Sequence, residues 1–381
     1  MLQYAEKRGV VMEIKVVETT EDLRDFILFP WKVYEEDPYW VPPLISDVEY
    51  ILDPKKSPFW EHAQQKLFLV KSLGRVIGRI AGIVDQRHID FHDEQVGFFG
   101  FFECLNDYEI AELLLSQVRE WLREKRMKAM RGPINPSQNE ECGLLMDAFD
   151  SSPLIMMTYN PKYYVGFMEK FGLRKARDLY AYYAPILSDP PKLLLDAAEY
   201  ARKKHPNVKI RMANLKKFEK EKEIVKEIYN TAWEKNWGFV PMTDREFDSL
   251  ARRLKSLIVP ELTLFIEVDG KTVGLGLALP DYNQALKKIN GRLFPFGWLK
   301  LLYHSKKIKT LRLIILGVLK EYRMEGLEAL LYLEGDRNAH KLGYEGIECS
   351  WVLEDNHFTR RACENFDGKV YKTYRIYEMR I

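Results

Sequence analysis

Arg323 and Gly326 sit three residues apart in Thr310–Leu331, TLRLIILGVLKEYRMEGLEALL, between an apolar run that reads as a strand and a second that reads as a helix. A strand that ends in a tight turn and opens a helix leaves free backbone N–H groups at the helix start, which is an anion site. Gly326 has no Cβ and lets the backbone come close to a phosphate, and Arg323 can add a charge-assisted, bidentate contact. The spacing gains meaning from the elements C-terminal to it: a strand, GIECSWVLEDN, a helix, HFTRRACENFDG, and a closing strand, KVYKTYRIYEMRI. His88 and His92, in DQRHIDFHDE, have a spacing that would suit a metal on one helix face. Their charged neighbours place them in a solvated loop between strands, so no metal is expected. Cys104, Cys142, Cys349 and Cys363 form no C-x-x-C pair, which argues against a zinc site and a disulfide framework and for a reducing, cytoplasmic setting.

The elements that must position these residues repeat. The first half reads as a strand from Met12 after an eleven-residue lead-in, then helical segments through Tyr50. Next come the hairpin KLFLVKS and RVIGRIAGIVD, and the strand QVGFFGFFECL. An amphipathic helix over Asp107–Arg126 comes after them, with Leu113, Leu114, Val118, Trp121 and Leu122 on one face. A short strand, a helix PKYYVGFMEKFGL and a strand RKARDLYAYYAPI close the half. The order begins again near Val208, and Thr243 with Glu246 reads as a capping box there. Two domains are expected, 12–187 and 208–381, joined by a linker with a helix over 188–207 and carrying an insertion at 281–309.

Composition agrees with a soluble two-domain protein: 381 residues, 46% hydrophobic, 30% charged and 13% aromatic. A net charge of +2 provides no field to recruit nucleic acid. No apolar run reaches the ~18 residues of a membrane helix.

This order and the phrase VLKEYRMEGL resemble the C-terminal part of the GNAT acyltransferases, whose phosphate turn reads Gln/Arg-x-x-Gly-x-Gly/Ala. The resemblance implies an α/β (α+β) fold of two acyl-CoA N-acyltransferase domains, each a mixed, mostly antiparallel sheet flanked by helices. It implies acetyl-CoA or another acyl-CoA as co-substrate, direct transfer to a small-molecule or peptide amine, and no metal. The donor's pantetheine would pair with the strand before the turn, at Leu316 and Val318, and its pyrophosphate would meet Arg323, Met324, Glu325, Gly326 and Leu327. Asn356, Cys363 and Glu364 fall on the family's Asn-x-x-Ala-x-x-x-Tyr-Glu-x-x-Gly pattern, with Gly368 one residue beyond its final glycine. Cys363, where the family has its tyrosine, or a nearby tyrosine, Tyr374, would protonate the thiolate, and Glu354 is a candidate base with Asp355 and Glu321. Two departures stand out: Glu328 takes the place of Gly or Ala at the sixth turn position, and Met168 takes the tyrosine's place in the first half. That half also lacks Arg and Gly at its turn and reads as a degenerate copy.

Trp233, Trp237 and Phe239 are candidates for an acceptor pocket or for core. In the insertion, Phe294, Phe296, Trp298, Leu299, Leu302 and Tyr303 alternate with Arg292, Lys300, Lys306, Lys307 and Lys309. Such a stretch suits a membrane surface, a lid over an apolar acceptor, or burial against the first half, the last being the plainest. Two other functions stay open: fatty acyl or aminoacyl transfer on the same fold, and a non-catalytic binding role.

Overall fold

A computed structural model describes residues 3–7, 10–187, 189–232 and 236–381. Two compact units emerge, and neither is contiguous in sequence: Met1–Asp178 with Leu286–Leu301 and Thr373–Ile381, and Leu179–Ala285 with Leu302–Lys372. This corrects the contiguous halves expected from the sequence, 12–187 and 208–381.

The first unit opens with β1 (Gln3–Lys7), where the sequence suggests only a lead-in, and β2 (Val10–Val16), the strand expected from Met12, antiparallel to each other. Helices α1 (Thr20–Leu28), α2 (Pro30–Val33) and α3 (Ile45–Leu52) come next, then the hairpin β3 (Ala63–Ser72) and β4 (Arg75–Asp85). Helix α4 (Gln86–His92) leads to β5 (Val96–Cys104), α5 (Tyr108–Glu124) and β6 (Ala129–Gly132). Short strands β7 (Ile134–Asn135), β8 (Glu141–Cys142) and β9 (Leu144–Leu145) precede α6 (Tyr163–Phe171) and β10 (Arg174–Pro185). Asp107 caps α5 by accepting the N–H of Glu109 at 2.9 Å; of the predicted stripe Leu114, Val118, Trp121 and Leu122 are buried and Leu113 is partly buried.

The second unit carries α7 (Lys192–Lys204), β11 (Lys209–Met212), α8 (Phe218–Ala232) and α9 (Asp244–Leu254). Thr243 and Glu246 close the expected capping box on α9. The hairpin β12 (Thr263–Val268) and β13 (Lys271–Pro280), α10 (Asn283–Leu286) and α11 (Gly297–Ser305) succeed it along the chain. The chain ends with β14 (Thr310–Val318), α12 (Leu327–Lys341), β15 (Gly346–Leu353), α13 (His357–Asn365) and β16 (Lys369–Arg380).

In the first unit β2 to β5 pair antiparallel, and β5 runs parallel to β6 over Val96–Phe98. The last strand returns here, Tyr377–Arg380 pairing with β6. In the second, β11 to β14 pair antiparallel, β14 runs parallel to β15, and Leu179–Pro185 of β10 pair with β15. Each unit thus completes its sheet with a strand from the other half of the sequence.

Candidate functional site in the second unit

The site is built on a fork between two strands. Strands β14 and β15 pair in parallel only from Thr310–Leu313 against Gly346–Cys349. Beyond that β14 continues to Val318 bound to β13 alone on its other side, with Ile314 as the extra residue of a bulge opposite Leu277 and Ala278. A strand edge that loses its partner leaves its N–H and C=O groups for another chain of amides, such as a pantetheine arm.

Over the fork, α12 and α13 cover an apolar cleft that opens to solvent. Leu311, Leu313, Leu316 and Ile347 line its floor, and Leu331, Ala339 and Phe366 its roof. Gly276, Ala278 and Gly335 leave room where larger side chains would fill it. Tyr332 and Asp336 of α12 border this space, and Glu328, four residues before Tyr332, lies on the same helix face. Burial raises the carboxyls of Glu328 and Asp336 above their ordinary range, against the pull of the Glu328 backbone N–H on one and the Leu187 N–H, which Asp336 accepts at 3.0 Å, on the other. Burial also pushes the Tyr332 phenol up, with the thiols of Cys349 and Cys363 beside it. Those thiols hydrogen-bond to each other, which raises Cys349 and lowers Cys363.

The turn has the expected backbone: β14, then Arg323, then Gly326 at the N-cap of α12 with φ +76. Its surroundings assign the glycine a further duty. A Cβ on Gly326 would lie 2.4 Å from the carbonyl oxygen of Ala197 in α7, so the turn is packed against that helix. Glu325 is held by Lys204 at 2.7 Å and His205 at 2.6 Å, Arg323 has its Nε 3.4 Å from the Val318 carbonyl, and Met324 points to solvent. Backbone N–H groups at a helix start and an arginine are the kinds of group that bind a diphosphate. Glu328 works against it, because its carboxylate takes its own helix-start N–H. Glu328→Gln is therefore expected to tighten binding of a coenzyme A donor about tenfold at neutral pH. In the parent chain binding should strengthen as the pH falls and Glu328 takes up its proton; titration calorimetry at two pH values checks both.

The other expected site residues separate. Leu316 and Cys363 line the cleft, whereas Val318 and Leu327 are buried in the core. Asn356 caps α13, accepting the Thr359 N–H at 3.1 Å. Glu354 succeeds β15 and offers its backbone carbonyl to Arg360 at 2.9 Å. Tyr374 is fully buried, pairs with Leu145 and belongs to the first unit. Phe239 is buried beside Tyr229, a core role, and Trp233 lies outside the described residues. Sequence reasoning misses Tyr332 and Asp336, although their four-residue recurrence from Glu328 is visible along α12.

The first unit has the same fork, filled by its own chain. A Cβ on Gly100 would lie 1.8 Å from the Ile134 carbonyl oxygen, and Asn135 Oδ1 accepts the Phe101 N–H at 2.6 Å. His88 and His92 stand on helix α4 rather than in a solvated loop: His88 is buried and bonded to Glu94 at 2.8 Å. Among the described residues no cluster of three metal-ligating groups occurs.

No protein-family model matches the chain. It is 36% identical over 370 residues to the bacterial ceramide synthase of Caulobacter vibrioides, covering 95% of this chain and 96% of that protein. It is 34% identical over 370 residues to Protein YghO of Escherichia coli K12, covering 94% and 93%. Among solved structures, a tandem GNAT protein from the clavulanic acid biosynthesis pathway superposes with a TM-score of 0.56 at 13% identity, over 97% of this chain and 98% of that one. A GCN5-related glucosamine N-acetyltransferase region of a fungal multi-domain GH3 beta-N-acetylglucosaminidase gives 0.56 at 12% identity; this chain spans 38% of that protein's length. The structural likenesses establish a tandem GNAT fold, and the sequence likeness shows that the chain belongs to the family of the Caulobacter bacterial ceramide synthase.

Proposed function

We propose that the chain transfers a long acyl group from a thioester to the amine of a long-chain amino alcohol. The apolar cleft beneath α12 and α13 carries this reading. An acetyl group, the donor expected first, would meet little of this apolar lining, whereas each buried CH₂ of a long chain contributes about 0.8 kcal/mol. The name of the Caulobacter relative agrees, since a ceramide is an N-acylated amino alcohol.

In the reaction the amine nitrogen attacks the thioester carbonyl carbon, the C–S bond breaks, the ammonium proton is lost and the thiolate gains one. Arg323 and the backbone from Gly326 to Glu328 would hold the diphosphate of a coenzyme A donor. Cys363 and Tyr332 border the cleft and are the candidates for protonating the thiolate. Calorimetric titration with dodecanoyl-CoA and acetyl-CoA tests the reading. We expect the longer donor to bind at least about a hundredfold tighter, and equal affinities would contradict it.

A further inference from the structure

The first unit holds a polar cluster that the cleft chemistry does not use. Glu103, near the end of β5, receives two tyrosine hydroxyls on one oxygen: Tyr34 donates to Oε2 at 2.9 Å and Tyr164 at 2.8 Å. Its other oxygen, Oε1, takes no hydrogen bond from any described residue. Arg79, the register partner of Glu103 on β4, is 7% exposed. It donates through Nη1 to the Phe26 carbonyl at 2.7 Å, while its buried Nε has no partner among the described residues. A buried guanidinium nitrogen without an acceptor is costly and needs a reason.

An aromatic wall extends from Tyr34. Trp40 stacks on Tyr34 at 4.8 Å, and Trp31 meets Trp40 edge-on at 5.2 Å. Asp37 fixes the loop by accepting the Tyr39 and Trp40 N–H groups and the Tyr159 hydroxyl. Phe101, two residues before Glu103, sits at φ +49, a strained conformation for an aromatic residue and typical of functional sites. Burial pushes the Glu103 carboxyl up to about 7 against the pull of Arg79 and the two hydroxyls, so it can exchange a proton near neutrality.

We infer that this cluster is a recognition site for the head of an amino alcohol, the ammonium group donating to Glu103 against the aromatic wall and the neighbouring hydroxyl oxygen accepting from Arg79. Such a head supplies the two partners the cluster lacks. The inference goes beyond the proposed function: it concerns binding of such a head in the first unit and places no acyl group there.

The test uses the full chain and two probes, 2-amino-1-octanol and 1,2-octanediol, in a calorimeter. The amino alcohol should bind at least about tenfold tighter than the diol, and Glu103→Gln should erase that difference while dodecanoyl-CoA binding stays unchanged. Equal affinity for the two probes, or unaltered preference in Glu103→Gln, overturns the site. If Glu103→Gln does not fold, Trp40→Ala, which removes the stacked face, is expected to weaken the amino alcohol selectively, and no weakening overturns the site. Loss of donor binding with this preference intact would strike the second-unit reading instead.

A separate observation concerns the insertion. From Leu286 to Lys309 the chain has seven Lys or Arg residues and no acidic one. On its inner side Trp31 donates to Asn290 Oδ1 at 2.8 Å and the Ile45 N–H donates to the Gly291 carbonyl at 3.1 Å. On its outer side Phe294, Phe296, Trp298 and Leu299 are 45–80% exposed. Exposed aromatic and aliphatic side chains in a stretch whose charges are all basic match the headgroup boundary of an anionic bilayer. We propose that this face lies on such a membrane. Sedimentation with phosphatidylglycerol-containing vesicles should pellet the chain, and the triple variant Phe294→Ser, Phe296→Ser, Trp298→Ser should stay in the supernatant. A parent chain that stays in solution, or one that self-associates through this face without vesicles, overturns the proposal.

Discussion

Replacing Gly335 with leucine is expected to lower transfer of a dodecanoyl group by at least about a hundredfold while leaving a butanoyl group within a fewfold of the parent. Gly335 lines the roof of the cleft on α12, and a Cβ there would meet only Leu264 Cδ1, at 3.9 Å. The helix therefore accepts a side chain at this position, and leucine removes volume from the cleft without disturbing backbone. Alanine separates the two effects. Gly335→Ala should keep activity toward the long chain and stabilise α12 by up to about 1 kcal/mol, since glycine in a helix interior is that much poorer than alanine. Steady-state rates across a series of acyl lengths check the first expectation and thermal unfolding the second. A leucine variant that treats long and short chains alike would place the acyl group elsewhere.

The second large effect is on stability. Arg131, 5% exposed on β6, holds Glu94 through two bonds of 2.7 and 3.1 Å and Glu378 on β16 at 2.6 Å. Arg131→Ala leaves both carboxylates without their cation and is expected to cost about 3 kcal/mol, the low end for a buried pair because both acids reach solvent. Burial alone would raise Glu94, but the hydrogen bond and charge of Arg131, then those of His88, bring it down from 4.5 to about 2. A depressed carboxyl contributes stability that is full above its unfolded value and is lost as pH falls toward its folded one. The difference between parent and variant should therefore be constant near neutrality and shrink between about pH 4.5 and 2. Denaturant titrations at several pH values read it, and a difference that grows toward acid would refute the assignment.

Much of the fold is legible in the sequence because it rests on local signals. The α5 stripe, the capping box at Thr243 and the strand–turn–helix at Gly326 arise from spacing and turn chemistry within a few residues. The features that escape depend on distant partners. Helix α4 lies among charged residues that read as loop, yet its His88 is anchored by Glu94 and packed against Phe98. The exchange of β10 and β16 between units leaves no local mark, since each strand has the same alternation in either sheet. The Glu103 cluster joins Tyr34, Arg79 and Tyr164, up to 69 residues away, and no spacing rule gathers them. Gly326 reads as a ligand contact and serves α7 as well, because a glycine marks a close approach without naming the group that approaches.

A product assay decides whether the chain transfers a long acyl group. The purified chain is incubated with dodecanoyl-CoA and a long-chain amino alcohol, and the products are weighed by mass spectrometry. The proposed function predicts an N-dodecanoyl amide that forms faster than the N-acetyl product from acetyl-CoA and slows sharply in Gly335→Leu. Exclusive acetylation, or no amide from either donor under conditions where both bind, would contradict it.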